Sequence, residues 1–120
     1  MPVREEFVGG IEEWRETDTD TAATSTATHA AEAGKKHYVT GFSFSASGTI
    51  AAAVTLSIRQ NGGATTRRQF RIPASMVAPI IYEFKRVLEI PTGQDVDITV
   101  GSLGAGITSQ IELVGFTRNA

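Results

Sequence analysis

A chain of 120 residues, 41% hydrophobic and 20% charged, has the make-up of one globular domain. It contains no cysteine, which excludes disulfides, cysteine–zinc sites and thiol catalysis. A formal net charge of −2 does not point to a nucleic-acid or membrane-surface partner.

Residues 1–20 mix isolated bulky apolar side chains with acids. There is no continuous apolar segment of the signal-peptide kind. No run approaches the roughly 20 apolar residues of a membrane span. A chain made and kept in the cytosol is expected. Phe7, Ile11 and Trp14 are spaced as one face of a helix. Gly9-Gly10 interrupts that face, at about 1 kcal/mol per glycine against alanine. The stretch has too few apolar residues for a core of its own. Residues 1–20 are therefore read as an N-terminal arm, and residues 21–120 as a β-sandwich. The arm either folds back on its own sandwich or docks on a neighbour, with Phe7, Ile11 and Trp14 as anchors.

Residues 21–30 are rich in Thr, Ala and Ser, and a strand is expected there. From Lys36 onward the text alternates with period two. Tyr38, Phe42, Phe44 and Ala46 form an apolar row, with Thr40 the exception. Val54, Leu56 and Ile58 alternate with Thr55, Ser57 and Arg59. Asn61-Gly62-Gly63 is a tight turn, and Phe70 and Ile72 return opposite Arg67, Gln69 and Arg71. Pro73 to Pro79 excludes a central strand, and Ala74 to Val77 suits a helical turn. Ile80, Tyr82, Phe84, Leu88 and Ile90 alternate with Glu83, Lys85 and Glu89. A helical period also fits that stretch, but the flanking prolines and β-branched content favour a strand. Arg86 falls in the apolar row, so it needs a carboxylate partner, an edge position or a subunit interface. Pro91-Thr92-Gly93-Gln94 is a turn. Val96, Ile98 and Val100 follow, then a Gly-rich loop over 101–106 and a last strand carrying Ile111 and Leu113.

Three segments carry a resemblance. They are Gly34-Lys35-Lys36-His37-Tyr38-Val39-Thr40-Gly41-Phe42-Ser43, Pro91-Thr92-Gly93-Gln94-Asp95-Val96-Asp97-Ile98-Thr99 and Ile111-Glu112-Leu113-Val114-Gly115-Phe116-Thr117. Their layout resembles small jelly-roll capsid decoration (cement) proteins of tailed bacteriophages, over roughly residues 21–117. The resemblance implies an all-β, jelly-roll-like antiparallel β-sandwich with an N-terminal extension. It also implies a non-enzymatic virion protein that stabilises a capsid from outside, assembled in the host cytoplasm. The implied partner is a major capsid protein. A homo-oligomer is expected, a trimer first, with Arg67, Arg71 and Arg86 as subunit contacts. The alternative is a tail-fibre or carbohydrate-binding module. Against it, Tyr38, Tyr82, Phe42, Phe44, Phe70 and Phe84 fall on expected core faces, leaving Trp14 and Phe116 free.

Catalytic and cofactor signatures are weak. His29 and His37 with Glu32 have metal-binding residue types, but spacing alone specifies no site, and no metal or cofactor is expected. Asp18/Asp20 and Asp95/Asp97 have the look of oxygen-ligand pairs without the rest of a calcium loop. No serine stands in Gly-x-Ser-x-Gly, and the Gly-rich loop lacks the lysine of a phosphate-binding loop.

Overall fold

The computed structural model describes residues 11–76 and 79–120. Its strands are β1 (Glu12–Thr21), β2 (Ser25–His29), β3 (Lys35–Ala46), β4 (Val54–Gln60), β5 (Thr65–Ile72), β6 (Ile80–Glu89), β7 (Val96–Val100) and β8 (Thr108–Asn119). They make two antiparallel four-stranded sheets, ordered β1-β8-β3-β6 and β2-β7-β4-β5. Every connection but one crosses between the sheets, which is jelly-roll topology. The exception is the β4–β5 hairpin, turned by Asn61-Gly62-Gly63 with all three residues at positive φ.

The alternation of the sequence becomes the core. Leu56, Ile58, Ile98 and Val100 of one sheet face Phe42, Phe44, Ile111 and Leu113 of the other. Ile50 and Leu103, from loops, are buried with them. Each such side chain contributes about 1.5–3 kcal/mol by leaving water. Strand β6 is a strand and not a helix.

Four expectations need correction. The boundary at residue 20 falls inside β1, which pairs with β8 from Glu12 to Thr21. Residues 12–20 therefore belong to the sandwich, and Trp14 alternates with Glu13 and Arg15 as a strand residue. Thr17, Thr19 and Thr21 favour that pleated backbone over a helix. Phe7 lies outside the described residues, and Ile11 stands half-buried just before β1. Second, Tyr38 faces outward. Thr40 has no partner in either ladder of β3, so it is a bulge, and the bulge changes the phase of the strand. Before it His37 and Val39 point inward; after it Phe42 and Phe44 do. Third, Ala74-Ser75 form a turn, with Ser75 at φ 67°, and not a helical turn; Val77 lies outside the described residues. Fourth, Arg67 is not in the outward row. The β4–β5 register steps from Arg68 to Thr66, so Arg67 is the bulged residue.

The two long sides of the sandwich differ. On one, β1 lies close against β2; on the other, β5 and β6 make no comparable approach. One side is therefore closed by backbone, and the other is open and filled by side chains.

Candidate functional site

The closed side gathers the polar side chains. β1 turns Trp14 and Glu16 inward, β2 ends at His29, Glu32 lies in the loop to β3, and His37 and Thr117 point in from β3 and β8. The Trp14 ring stacks on His29 with centroids 4.1 Å apart, and His29 meets the edge of His37 at 4.5 Å. Gly115, opposite Trp14 in the ladder, gives the indole its room.

The hydrogen bonds fix the protons. His37 Nε2 lies 2.9 Å from the Ala30 carbonyl oxygen, which only accepts, so Nε2 carries the hydrogen. His37 Nδ1 then accepts from the Thr117 hydroxyl at 2.6 Å. Thr117 in turn accepts from the Trp14 indole N–H at 2.9 Å. His37 is thus a neutral imidazole with both nitrogens bonded. Burial pushes its pKa below the ordinary 6.5, against the opposing pull of the Ala30 carbonyl. Thr117 beside His37 has the look of an activated nucleophile. Both are 1% exposed, however, and the third group is a carbonyl rather than a carboxylate, so no substrate reaches the pair.

The sign of the His37 shift gives a pH dependence. The unfolded chain takes up a proton near pH 6.5 that the folded one resists. The contribution is complete above that value and is lost as pH falls towards and through the folded pKa. The urea midpoint in chelator-containing buffer is expected to drop between pH 7.5 and 5. A His37→Gln variant, less stable at neutral pH, should show a flatter slope. An equal slope in both proteins would remove His37 from the account.

His29 is different. Its Nδ1 donates to Glu16 Oε2 at 2.8 Å. Its Nε2 is buried without a hydrogen-bond partner, with Glu32 Oε1 3.5 Å away. His29, Glu32 and His37 each offer a ligand atom, and these atoms lie within 4.8 Å of one another. The structure thus brings together the trio that spacing alone did not join. Glu16 and Thr117 were missed, because only the β1–β8 and β3–β8 registers place them there.

The acidic pairs have other partners. Asp18 accepts the Thr26 N–H at 2.9 Å, and this bond and one shared with Asp20 hold its carboxyl below the usual range. Asp20 is raised by the same shared bond. Asp95 accepts the Gly62 N–H at 2.7 Å and steadies the hairpin turn. Asp97 makes a two-pronged pair with Arg59, at 2.9 and 3.1 Å.

The open side gathers the aromatic and basic side chains. Phe42, Phe70, Tyr82 and Phe84 cluster there, with Phe70 and Tyr82 meeting at 5.2 Å across the two sheets. Arg67 spans the gap and donates to the Glu89 carbonyl at 2.9 Å, so it is held within the subunit. Arg68, Arg71, Lys85 and Arg86 are exposed. Among the described residues the exposed large hydrophobics are Ile81 at 81%, Tyr82 at 42% and Val87 at 40%, all on β6. Between Glu83 and Leu88, β6 leaves the ladder, and the segment Phe84 to Val87 stands opposite the single Thr40. This bulge spoils the edge for strand addition while pushing Lys85, Arg86 and Val87 outward. The expected distribution of aromatics is therefore partly reversed. Trp14 is half-buried against the core, Tyr82 is outside, and Tyr38 stacks on Phe116 at 4.8 Å on the outer face.

No protein-family model matches the chain, and no curated protein matches it. Solved structures share its sandwich shape. One is the CBM36-1 domain of a multidomain xylanase from the hindgut metagenome of Trinervitermes trinervoides. It is 15% identical at a TM-score of 0.42, over 83% of this chain and 74% of that one. Another is the Bacillus endospore appendage, a disulfide-linked pilus. It is 18% identical at a TM-score of 0.42, over 91% of this chain and 88% of that one. An arabinose-bound α-L-arabinofuranosidase is 12% identical at a TM-score of 0.43. The match covers 82% of this chain but 18% of that enzyme. Likeness at this level belongs to the β-sandwich and extends to no ligand or partner.

Proposed function

We propose that this chain is a non-catalytic structural subunit that builds an assembly by packing its open side on the closed side of another copy. The observation that carries the reading is the distribution of its surface. All the exposed large hydrophobics of the described residues lie on β6, beside Lys85 and Arg86 and near the arginines of β5. The opposite edge, β1, exposes Glu12 and Glu13 beside Arg15, with Glu16, Asp18 and Asp20 half-buried on its inward row. Exposed apolar groups ringed by charge mark a surface that a partner covers, and the charge chooses the partner. A contact between two different sides is heterologous; it forms a ring where the rotation closes, with the trimer among the smallest, and a filament where it does not. A virion decoration protein, as the sequence resembles, is the finer form of this reading, with a capsid as the lattice that multiplies weak contacts.

One observation favours a second reading. Tyr82 is exposed over Phe70 and Phe84, an aromatic platform of the kind that stacks on sugar rings. Light scattering against protein and salt concentration, with a glycan array alongside, separates the two. The assembly reading expects a mass above the monomer that falls as salt rises, and an array without binders. A monomer at all concentrations that binds glycans, and loses them in Tyr82→Ala, would replace it.

A further inference from the structure

We propose that His29, Glu32 and His37 form a binding site for a divalent transition metal of the zinc class, which ties the closed side of the sandwich together. His29 Nε2 is buried and unpartnered, and it faces a carboxylate. The gap between His29 Nε2 and Glu32 Oε1 holds either a proton or a metal ion, and a metal ion there would take both groups as ligands. The other nitrogen of His29 already donates to Glu16, the carboxylate–histidine arrangement that fixes ring and tautomer in metal sites.

The remaining geometry needs small changes. Ligand atoms around a tetrahedral zinc stand about 3.4 Å apart, given bonds of about 2.0–2.2 Å. Those of His29, Glu32 and His37 lie within 4.8 Å of each other, and Glu32 sits in a half-exposed loop whose side chain can swing in. His37 would exchange its Ala30 hydrogen bond for the metal. Its hydrogen would move to Nδ1, which would then donate to Thr117 Oγ1. Each histidine thus keeps a partner on its outer nitrogen. Two neutral imidazoles and one carboxylate select a borderline-soft ion and disfavour calcium or magnesium, which take oxygen ligands. The site draws on β2 in one sheet and β3 in the other, with Glu16 of β1 behind it, so metal binding would join the sheets.

Trp14, the only tryptophan, stacks on His29 and reports on the site directly. The test titrates the metal-free protein with Zn²⁺ by calorimetry and with Cu²⁺ by tryptophan quenching, and records the visible spectrum with Co²⁺. Expected are one ion per chain, the absorption of tetrahedral cobalt and a thermal midpoint that rises with Zn²⁺. Glu32→Gln lies on a loop and should leave the fold intact while weakening binding about tenfold or more. His29→Gln should abolish binding, and Glu16→Gln, a positioning change, should weaken it about 10–100-fold. No binding at millimolar Zn²⁺, or equal binding in wild type, Glu32→Gln and His29→Gln, would overturn the site.

Discussion

Gly115→Ala is expected to destabilise the protein by about 3 kcal/mol, the upper end of what overpacking usually costs. A methyl at that position runs into the backbone carbonyl of Tyr38 on the neighbouring strand β3. It also meets the Trp14 ring, at 2.7 and 2.8 Å from two of its carbons. The backbone contact cannot be relieved by a rotamer, and Trp14 is held by its bond to Thr117 and its stack on His29. Gly48→Ala is the control, since nothing lies within 4 Å of a methyl there, and it should fall within about 0.5 kcal/mol of wild type. Adding Trp14→Ala to Gly115→Ala removes one clash and leaves the other, so any recovery should be partial. Urea unfolding of these variants decides the matter. Wild-type stability for Gly115→Ala would mean that neither the β3 backbone nor Trp14 of β1 lies against Gly115 as described.

Reversing Lys85 and Arg86 to glutamate should act on association and not on folding. Both side chains are exposed on the β6 bulge. Surface changes of this kind move stability by about 0.5 kcal/mol or less. Reversing them places acids opposite the acids of β1 and should weaken self-association about tenfold or more. Ile81→Glu, at a side chain 81% exposed in the subunit, should do the same through the apolar part of the contact. Sedimentation velocity beside urea unfolding reads both quantities. A loss of stability without a change in mass would mark these residues as ordinary surface.

Much of the fold could be read from alternation because the strands bury one face. The rows Leu56/Ile58, Phe70/Ile72, Val96/Ile98/Val100 and Ile111/Leu113 went where period two sends them. The β4–β5 hairpin followed from Asn61-Gly62-Gly63. β1 escaped because its inward row is Trp14, Glu16, Asp18 and Asp20, acids whose partners lie on β2 and beyond it. Tyr38 was misplaced by one bulged residue, Thr40, which reverses every side chain before it. Arg67 was misplaced by a second bulge. The histidine cluster was legible as residue types but not as a place. Glu16, His29, Glu32, His37 and Thr117 meet only through the pairing of β1 and β3 with β8 and the approach of β1 to β2. The surface pattern depended on β6 being an edge strand, which alternation cannot reveal.

Packing of the basic, apolar open side of one copy on the acidic closed side of the next is tested by the solution mass of two charge-reversed proteins, alone and mixed. One carries Lys85→Glu and Arg86→Glu, the other Glu12→Lys and Glu13→Lys. Each alone presents like charges at the contact and should be monomeric. Mixed in equal amounts, every acidic β6 can meet a basic β1 and the reverse, so association should return in alternating assemblies with an even number of copies, since an odd ring such as a trimer would keep one like-charged contact. Wild-type protein that stays monomeric, or variants that associate alone as wild type does, would contradict the account.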